Sequence, residues 1–364
     1  MREELGAFWY YTVGKYFSPM PSILTLFVTN RCNARCRHCF YWQNLAKKKV
    51  DLALDKIGKL SQDLGHLEFL FLSGGEPFLR DDLDRLCGIF YTQNGLRTVS
   101  IPTNGLRPEK ITKEAEKILK ACPELGVVIP ISLDGTREIH DEIRGVKGAF
   151  KKVQETSRYL VRLAGHYPKL QVRLTATVFN LNYKNLFELI DQLPQLFPES
   201  EGFWDLSLNF LRGETRQPGL KLPSVKKLEK LFAYKQKKFK GKRSWTRGFL
   251  ERFVFKATIK TLEQKKQIVP CEAGRLLGVI YEDGSVGHCE LLPTFGNLGK
   301  GGFGQVWQSK EAKRARQRIV KKACFCTHGC NLFPSLIAHP LVWAGMVFKS
   351  RLVSRVDSEG IIRS

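Results

Sequence analysis

From residue 22 to 210, short apolar runs alternate with longer stretches whose apolar residues recur near a 3.6-residue spacing. The runs predict strands over 23–29, 68–72, 98–101, 127–133, 171–178 and 204–210. The stretches between them predict helices over 54–64, 83–91, 111–119, 150–163 and 186–193. Strands alternating with helices in this way imply a parallel α/β sheet, wound open or curled into a partial (β/α)6 barrel. Ligands of such folds bind at the carboxyl edge of the strands, and the polar, Gly-rich segments of this chain fall there.

The pattern then changes. Over 221–252 twelve Lys and Arg face only Glu229 and Glu251. Val225, Leu228, Leu231 and Phe232 still keep one apolar side, so the segment predicts basic amphipathic helices rather than a disordered tail. From Pro270 onward the chain is rich in Cys and Gly, as expected of a small second unit. The chain therefore divides into an aromatic N-terminal segment (1–21), a core (22–215), a basic connector (216–269), a Cys-rich unit (270–335) and an apolar, then basic, tail (336–364).

Composition narrows the class. With 364 residues and 43% apolar content the chain can bury a sizeable core, which excludes global disorder. Its 59 Lys and Arg against 35 Asp and Glu give a formal charge of +24. Such a balance draws anions: phosphorylated metabolites, acidic peptides, an anionic membrane surface or nucleic acid. The first residues lack the basic start and small-residue cleavage site of a signal peptide. The most apolar stretch, 332–348, is broken by Pro334, His339 and Pro340 and falls short of the ~20 clean apolar residues of a membrane span. A cytosolic location is expected, and ten cysteines there point to metal or redox chemistry rather than disulfides.

The strongest chemical signal is Cys32-x3-Cys36-x2-Cys39, directly after the first strand. Three thiolates so spaced can wrap one face of a cubane iron–sulfur cluster and leave its fourth iron open. A zinc site with His38 as fourth ligand is the alternative. Ser73-Gly74-Gly75-Glu76-Pro77 ends the second strand, where glycines permit close backbone approach and Glu76 offers an anion. Thr103-Asn104-Gly105 follows the third strand and Ser132-Leu133-Asp134-Gly135 the fourth; taken alone, these are ordinary turn formers.

The run VTNRCNARCRHCFYW resembles the cluster loop of radical S-adenosylmethionine (SAM) enzymes, and the resemblance extends over roughly 22–330. It implies a [4Fe-4S] cluster on Cys32, Cys36 and Cys39 whose open iron is chelated by the amino and carboxylate groups of SAM. One electron from the cluster then cleaves SAM to methionine and a 5′-deoxyadenosyl radical. Gly74, Gly75 and Glu76 look like the motif that receives the methionine amino group. Asn104, Ser132 and Asp134 take positions that lie around SAM in the family, and Arg173 on the fifth strand is a candidate partner for its carboxylate. A reductase with flavodoxin, or a ferredoxin, is implied as electron donor.

The run SLDGTREIHDEIRGVKGAF resembles the subgroups with SPASM or Twitch domains, which carry extra clusters. Cys271, followed by twelve residues, Gly284, four more and Cys289, resembles the opening of those domains, and Cys324-x-Cys326-x3-Cys330 supplies further thiolates. Five cysteines suffice for one auxiliary [4Fe-4S] cluster and not for the two of a full SPASM domain, which favours the Twitch-like form. The Cys-x-Cys spacing departs from the usual Cys-x2-Cys, and a zinc knuckle stays as alternative. Cys87 and Cys122 sit in helical patterns and read as apolar filler.

The core motifs do not name the substrate. With the first cluster cysteine at position 32, no room is expected for the N-terminal recognition module common in peptide-modifying members. Aromatics at Phe8, Trp9, Tyr10, Tyr11, Tyr16 and Phe17, and Trp343 before Lys349, Arg351 and Arg355, suit a membrane interface. The expectation is an anionic or lipid-like substrate with peripheral membrane contact at the inner surface. Peptide modification is the first alternative. A non-catalytic metal protein that binds nucleic acid is the second, disfavoured by the intact motifs.

Overall fold

The computed structural model describes residues 19–198, 206–240, 245–339 and 342. The aromatic segment at 1–17 and the tail at 343–355, on which the membrane reading draws, lie outside these residues.

The six core strands are β1 (Ile23–Thr29), β2 (Phe69–Gly74), β3 (Thr98–Ser100), β4 (Gly126–Ser132), β5 (Leu170–Val178) and β6 (Ser207–Phe210). Each pairs in parallel with the next. The helices between them close the right-handed crossovers such a sheet requires. They are α1 (Trp42–Leu45), α2 (Leu54–Asp63), α3 (Leu83–Asn94), α4 (Pro108–Ala121), α5 (Arg137–Arg144), α6 (Ala149–His166) and α7 (Asn185–Leu196). The short α5 is absent from the sequence expectation.

The alternation along the strands decides which face does what. Leu24, Leu26 and Val28 of β1, Leu70 and Leu72 of β2, and Leu174, Ala176 and Val178 of β5 enter the main core with the helices. Thr175 and Thr177 point to the opposite face. A parallel sheet covered on both sides reads as continuously apolar. Here β5 alternates, with Thr175 and Thr177 on the cavity side, whereas β1 is buried throughout because Ile23 and Phe27 pack in apolar clusters on its second face.

The Cys-rich segment continues the same sheet. Strands β7 (Leu277–Ile280), β8 (Ser285–Gly287) and β9 (Gly296–Asn297) extend it to the order β6-β5-β4-β3-β2-β1-β7-β8-β9. β7 pairs in parallel with β1, from Ile23 with Leu277 to Leu26 with Ile280. The basic connector forms α8 (Val225–Lys238) and α9 (Trp245–Gln264). Its charge is not all solvated, since Lys235 is fully buried against Glu251 and Lys238 bonds Asp191 at 2.6 Å. Three short helices follow: α10 (Phe303–Gln308), α11 (Lys310–Val320) and α12 (Gly329–Ile337). Among the described residues no helix is long and apolar enough to cross a membrane.

Candidate functional site

The loop after β1 is built from its own residues. The Asn30 amide donates to the carbonyls of Asn44 (3.2 Å) and Lys48 (2.8 Å) and accepts from the Val50 N–H at 2.8 Å, pinching 31–50 into a closed lobe. The backbone N–H groups of Arg35 and Arg37 donate to the carbonyls of Arg144 and Ile143, hanging the loop on the end of α5. The thiols of Cys32, Cys36 and Cys39 line a cavity of about 240 Å³ at the carboxyl edge of the sheet. Burial pushes Cys32 up to about 12 and Cys39 up to about 11, so a bound cation has to displace their protons.

Gly74, Gly75 and Glu76 form the facing wall. Gly74 has φ +122°, and a Cβ on either glycine would collide with the carbonyl of Thr29 or Arg31. The glycines thus serve the close packing of β2 on the cluster loop, fixed by Gly75 N–H to the Thr29 carbonyl and Glu76 N–H to the Arg31 carbonyl, both 2.8 Å. The buried Glu76 carboxylate accepts from Thr103 Oγ1 (2.9 Å), Asn104 N (2.7 Å) and Phe78 N (3.3 Å). Burial nevertheless raises its pKa to about 7, despite these bonds. Asn104 also reaches the cluster loop, its amide donating to Asn33 Oδ1 at 2.8 Å and lying 4.0 Å from Cys32 Sγ. Ser132 lines the same cavity.

Two predicted residues stand elsewhere. Asp134 is fully buried and spent on the protein: Oδ2 pairs with Arg144 at 2.6 Å and Oδ1 accepts from Thr177 N at 2.8 Å. Burial alone would raise its pKa, but Arg144, His38 and His140 together hold it below the usual carboxylate range. Its carboxylate orients Arg144, whose Nη1 donates to Cys36 Sγ at 3.5 Å. Arg173 points from β5 one step below Thr175, bonds Gln171 at 2.9 Å and lies outside the cavity lining. The guanidiniums on the cavity wall are instead those of Arg144 and Arg212, which the sequence reading missed. Arg212 lies over the Phe40 ring at 4.5 Å and pairs with Glu290 at 3.2 Å.

The second cysteine group also surrounds a cavity, of about 140 Å³, lined by Cys271, Cys289, Cys324 and Cys326 among apolar side chains. Asn331 donates to Cys289 Sγ at 3.0 Å. Cys330 lies outside that lining, half-buried near Glu290 and Arg212, and desolvation pushes it up to about 12. Cys87 and Cys122 are buried in the main core, as filler.

Zinc requires ligands converging on a point. Among the described residues no three Cys, His, Asp or Glu side chains gather closely enough for one ion. His38 does face the cavity, but burial lowers its pKa to about 4 and its nearest charged partner is Asp134 at 4.0 Å. Thiols standing around open volumes fit clusters better than single ions.

Comparison with known proteins agrees with this geometry. The model of the radical SAM superfamily matches residues 26–193, and that of the SPASM iron–sulfur cluster-binding domain matches 271–331. The antilisterial bacteriocin subtilosin biosynthesis protein AlbA of Bacillus subtilis is 25% identical over 343 residues, covering 88% of this chain and 69% of AlbA. The Fe-coproporphyrin III synthase of Methanosarcina barkeri is 37% identical over 34% of this chain, and an AdoMet-dependent heme synthase of Nitratidesulfovibrio vulgaris is 32% identical over 48%. This chain spans only 30% and 46% of the length of those two synthases. Among solved structures, native anSMEcpe with bound AdoMet superposes with TM-score 0.58 at 18% identity, covering 93% of this chain and all of that one. Streptococcus suis SuiB bound to S-adenosylmethionine gives 0.57 at 15% identity, over 80% of this chain and 66% of SuiB.

The chain belongs to the radical SAM superfamily and carries a SPASM domain. It is an enzyme whose cofactors are a [4Fe-4S] cluster with SAM and auxiliary iron–sulfur chemistry in the C-terminal region.

Proposed function

We propose that Cys32, Cys36 and Cys39 hold the SAM-binding cluster, and that Gly74, Gly75, Glu76, Asn104 and Ser132 shape the SAM pocket. The observation that carries this is that the three thiols and the Glu76 carboxylate line one cavity. With a cluster on Cys32, Cys36 and Cys39 and SAM beside it, the cofactors would supply one-electron reductive chemistry and hydrogen-atom abstraction from the substrate. The protein's own part is placement. Glu76 accepts a hydrogen bond from the methionine amino group, Arg144 sets the charge beside Cys36, and Arg212 offers a cation to an anionic part of the substrate. Arg173 lies outside the cavity lining, which does not support giving it the SAM carboxylate. Cys271, Cys289, Cys324 and Cys326 are the nearest candidates for one auxiliary cluster, with Cys330 beside them.

For the substrate we propose a peptide. The bacteriocin biosynthesis protein aligns over 88% of this chain, whereas the synthases align over less than half of it. The lipid-facing alternative keeps, among the described residues, the exposed Lys226, Lys227, Lys230 and Lys237 of α8. Anaerobic incubation with SAM and dithionite should release 5′-deoxyadenosine, and offering candidate precursor peptides should raise that release and change a peptide's mass. Release without any peptide modification, alongside modification of a lipid extract, would reverse the substrate assignment.

A further inference from the structure

The chain after β6 doubles back over the cluster loop. Gly213 turns it at φ +63°, so close to Phe40 that a Cβ there would meet its side chain at 3.1 Å. The backbone N–H groups of Arg216 and Gln217 then donate to the carbonyls of Cys39 (3.2 Å) and Arg37 (2.9 Å). Thr215 Oγ1 donates to the Gln217 carbonyl at 2.7 Å and tightens the turn. Residues 211–217 are thereby fixed as a strap across the last cysteine of the loop.

The strap brings two arginines to the core thiols, and α5 brings a third. All three, Arg144, Arg212 and Arg216, leave their Nε buried without a hydrogen-bond partner. Buried donors left open around thiols mark a place made to receive acceptors. The three differ in counter-charge. Arg144 pairs with the buried Asp134 at 2.6 Å, and Arg212 pairs with the buried Glu290 at 3.2 Å. Among the described residues no carboxylate lies within ion-pair distance of Arg216, and the nearby Glu214 is exposed and accepts from Gln43 at 3.4 Å instead. Burial pushes the Cys39 thiol up, and Arg216 draws it back more strongly than Arg144 does. A guanidinium with a buried nitrogen and no counter-charge costs free energy until something negative completes its surroundings. Thiolates that ligate iron supply that charge.

We propose that Arg216 is a positioning residue whose charge, set beside Cys39, raises the reduction potential of the core cluster. This rests on the reading of Cys32, Cys36 and Cys39 as the cluster site. Reduction adds one electron, supplied by dithionite in the experiment below, and makes or breaks no bond. A neighbouring cation that no carboxylate offsets favours the more negative of the two states.

The test is a potentiometric titration of the full-length, reconstituted protein under anaerobic conditions, followed by EPR. The core signal is recognised as the one that SAM alters, and the titration itself is run without SAM. Arg216→Gln should lower the midpoint of that signal by about 59 mV, which is tenfold in the one-electron equilibrium. Arg216→Lys keeps the charge and should stay near wild type. The auxiliary midpoint, the iron content and the SAM dissociation constant should match wild type in both. Arg216→Met serves as the neutral variant if the Gln protein loads iron poorly. An unchanged midpoint in the neutral variant, an equal fall in the Lys variant, or loss of the core cluster from all three variants would each overturn the proposal. A wild-type protein with no SAM-sensitive signal would instead strike the core assignment on which it rests.

Discussion

The two cysteine cavities differ in what surrounds the sulfur. In the core cavity Cys32, Cys36 and Cys39 share the wall with Glu76, Asn104, Ser132, Arg144 and Arg212, in about 240 Å³. In the C-terminal cavity four thiols stand among Ile268, Val269, Leu291, Leu292, Ile319 and Leu332, in about 140 Å³. A buried polar group costs free energy unless it is matched, so a polar wall implies a polar guest. On the proposed assignment, the first cavity takes a cluster plus a second ligand. The second supplies four thiols and mostly apolar packing, with Thr261, Gln267, Asn331 and Ser335 as its polar lining and Asn331 already bonded to Cys289 Sγ.

The sharpest way to break this comparison is to remove the sulfur on each side. Replacing Cys32, Cys36 and Cys39 by Ala should lower the iron content from about eight to about four and abolish 5′-deoxyadenosine release. Replacing Cys271 and Cys289 by Ala should also leave about four irons, yet SAM should still bind. Iron assay and SAM titration on both variants decide it, and loss of SAM binding in the second would erase the distinction.

Next in size is the charge pair behind the core thiols. Asp134→Ala leaves Arg144 buried without its carboxylate and should destabilise the protein by about 3–5 kcal/mol, read from the denaturation midpoint. Because the Asp134 carboxyl is held below its unfolded value, its contribution is complete above the unfolded carboxylate range and is lost as pH falls through the lower folded value. The wild-type advantage over Asp134→Ala should therefore shrink on acidification and stay constant towards neutral pH. Smallest in energy is Glu76→Gln, which keeps the shape and removes the anion. SAM affinity should weaken by about tenfold, roughly 1.4 kcal/mol, with iron content unchanged. Equal SAM affinity in both proteins would remove Glu76 from the pocket.

Strands and long helices were legible because burial on one face writes a period into the sequence: β1 spans 23–29 as read, and the 83–91 stretch lies within α3. The short α5 was not, since its buried residues are His140, Ile143 and Arg144, and two of the three are polar. Asp134 is ambiguous in the sequence for a related reason. A carboxylate after a strand looks the same whether it faces a ligand or a guanidinium ten positions further along the chain, and only the 2.6 Å pair with Arg144 tells them apart. Arg144 and Arg212 left no signal beyond being arginines in a chain rich in them. The continuity of the sheet was equally silent, because pairing between β1 and β7 is a relation between the two ends of the sequence and β9 is only two residues long.

That pairing also bears on how the protein is made. β1 leaves the ribosome early and its partner on one side, β7, very late. Until then the strand that carries the cluster loop presents an open edge of unpaired N–H and C=O groups, flanked by apolar residues and by three thiols. Closing so long a loop is slow. Iron delivered to the nascent chain would meet a lobe whose outer neighbour has not arrived, so cluster insertion belongs after synthesis of the C-terminal strands. Truncation before residue 277 should yield aggregated protein rather than a smaller radical enzyme.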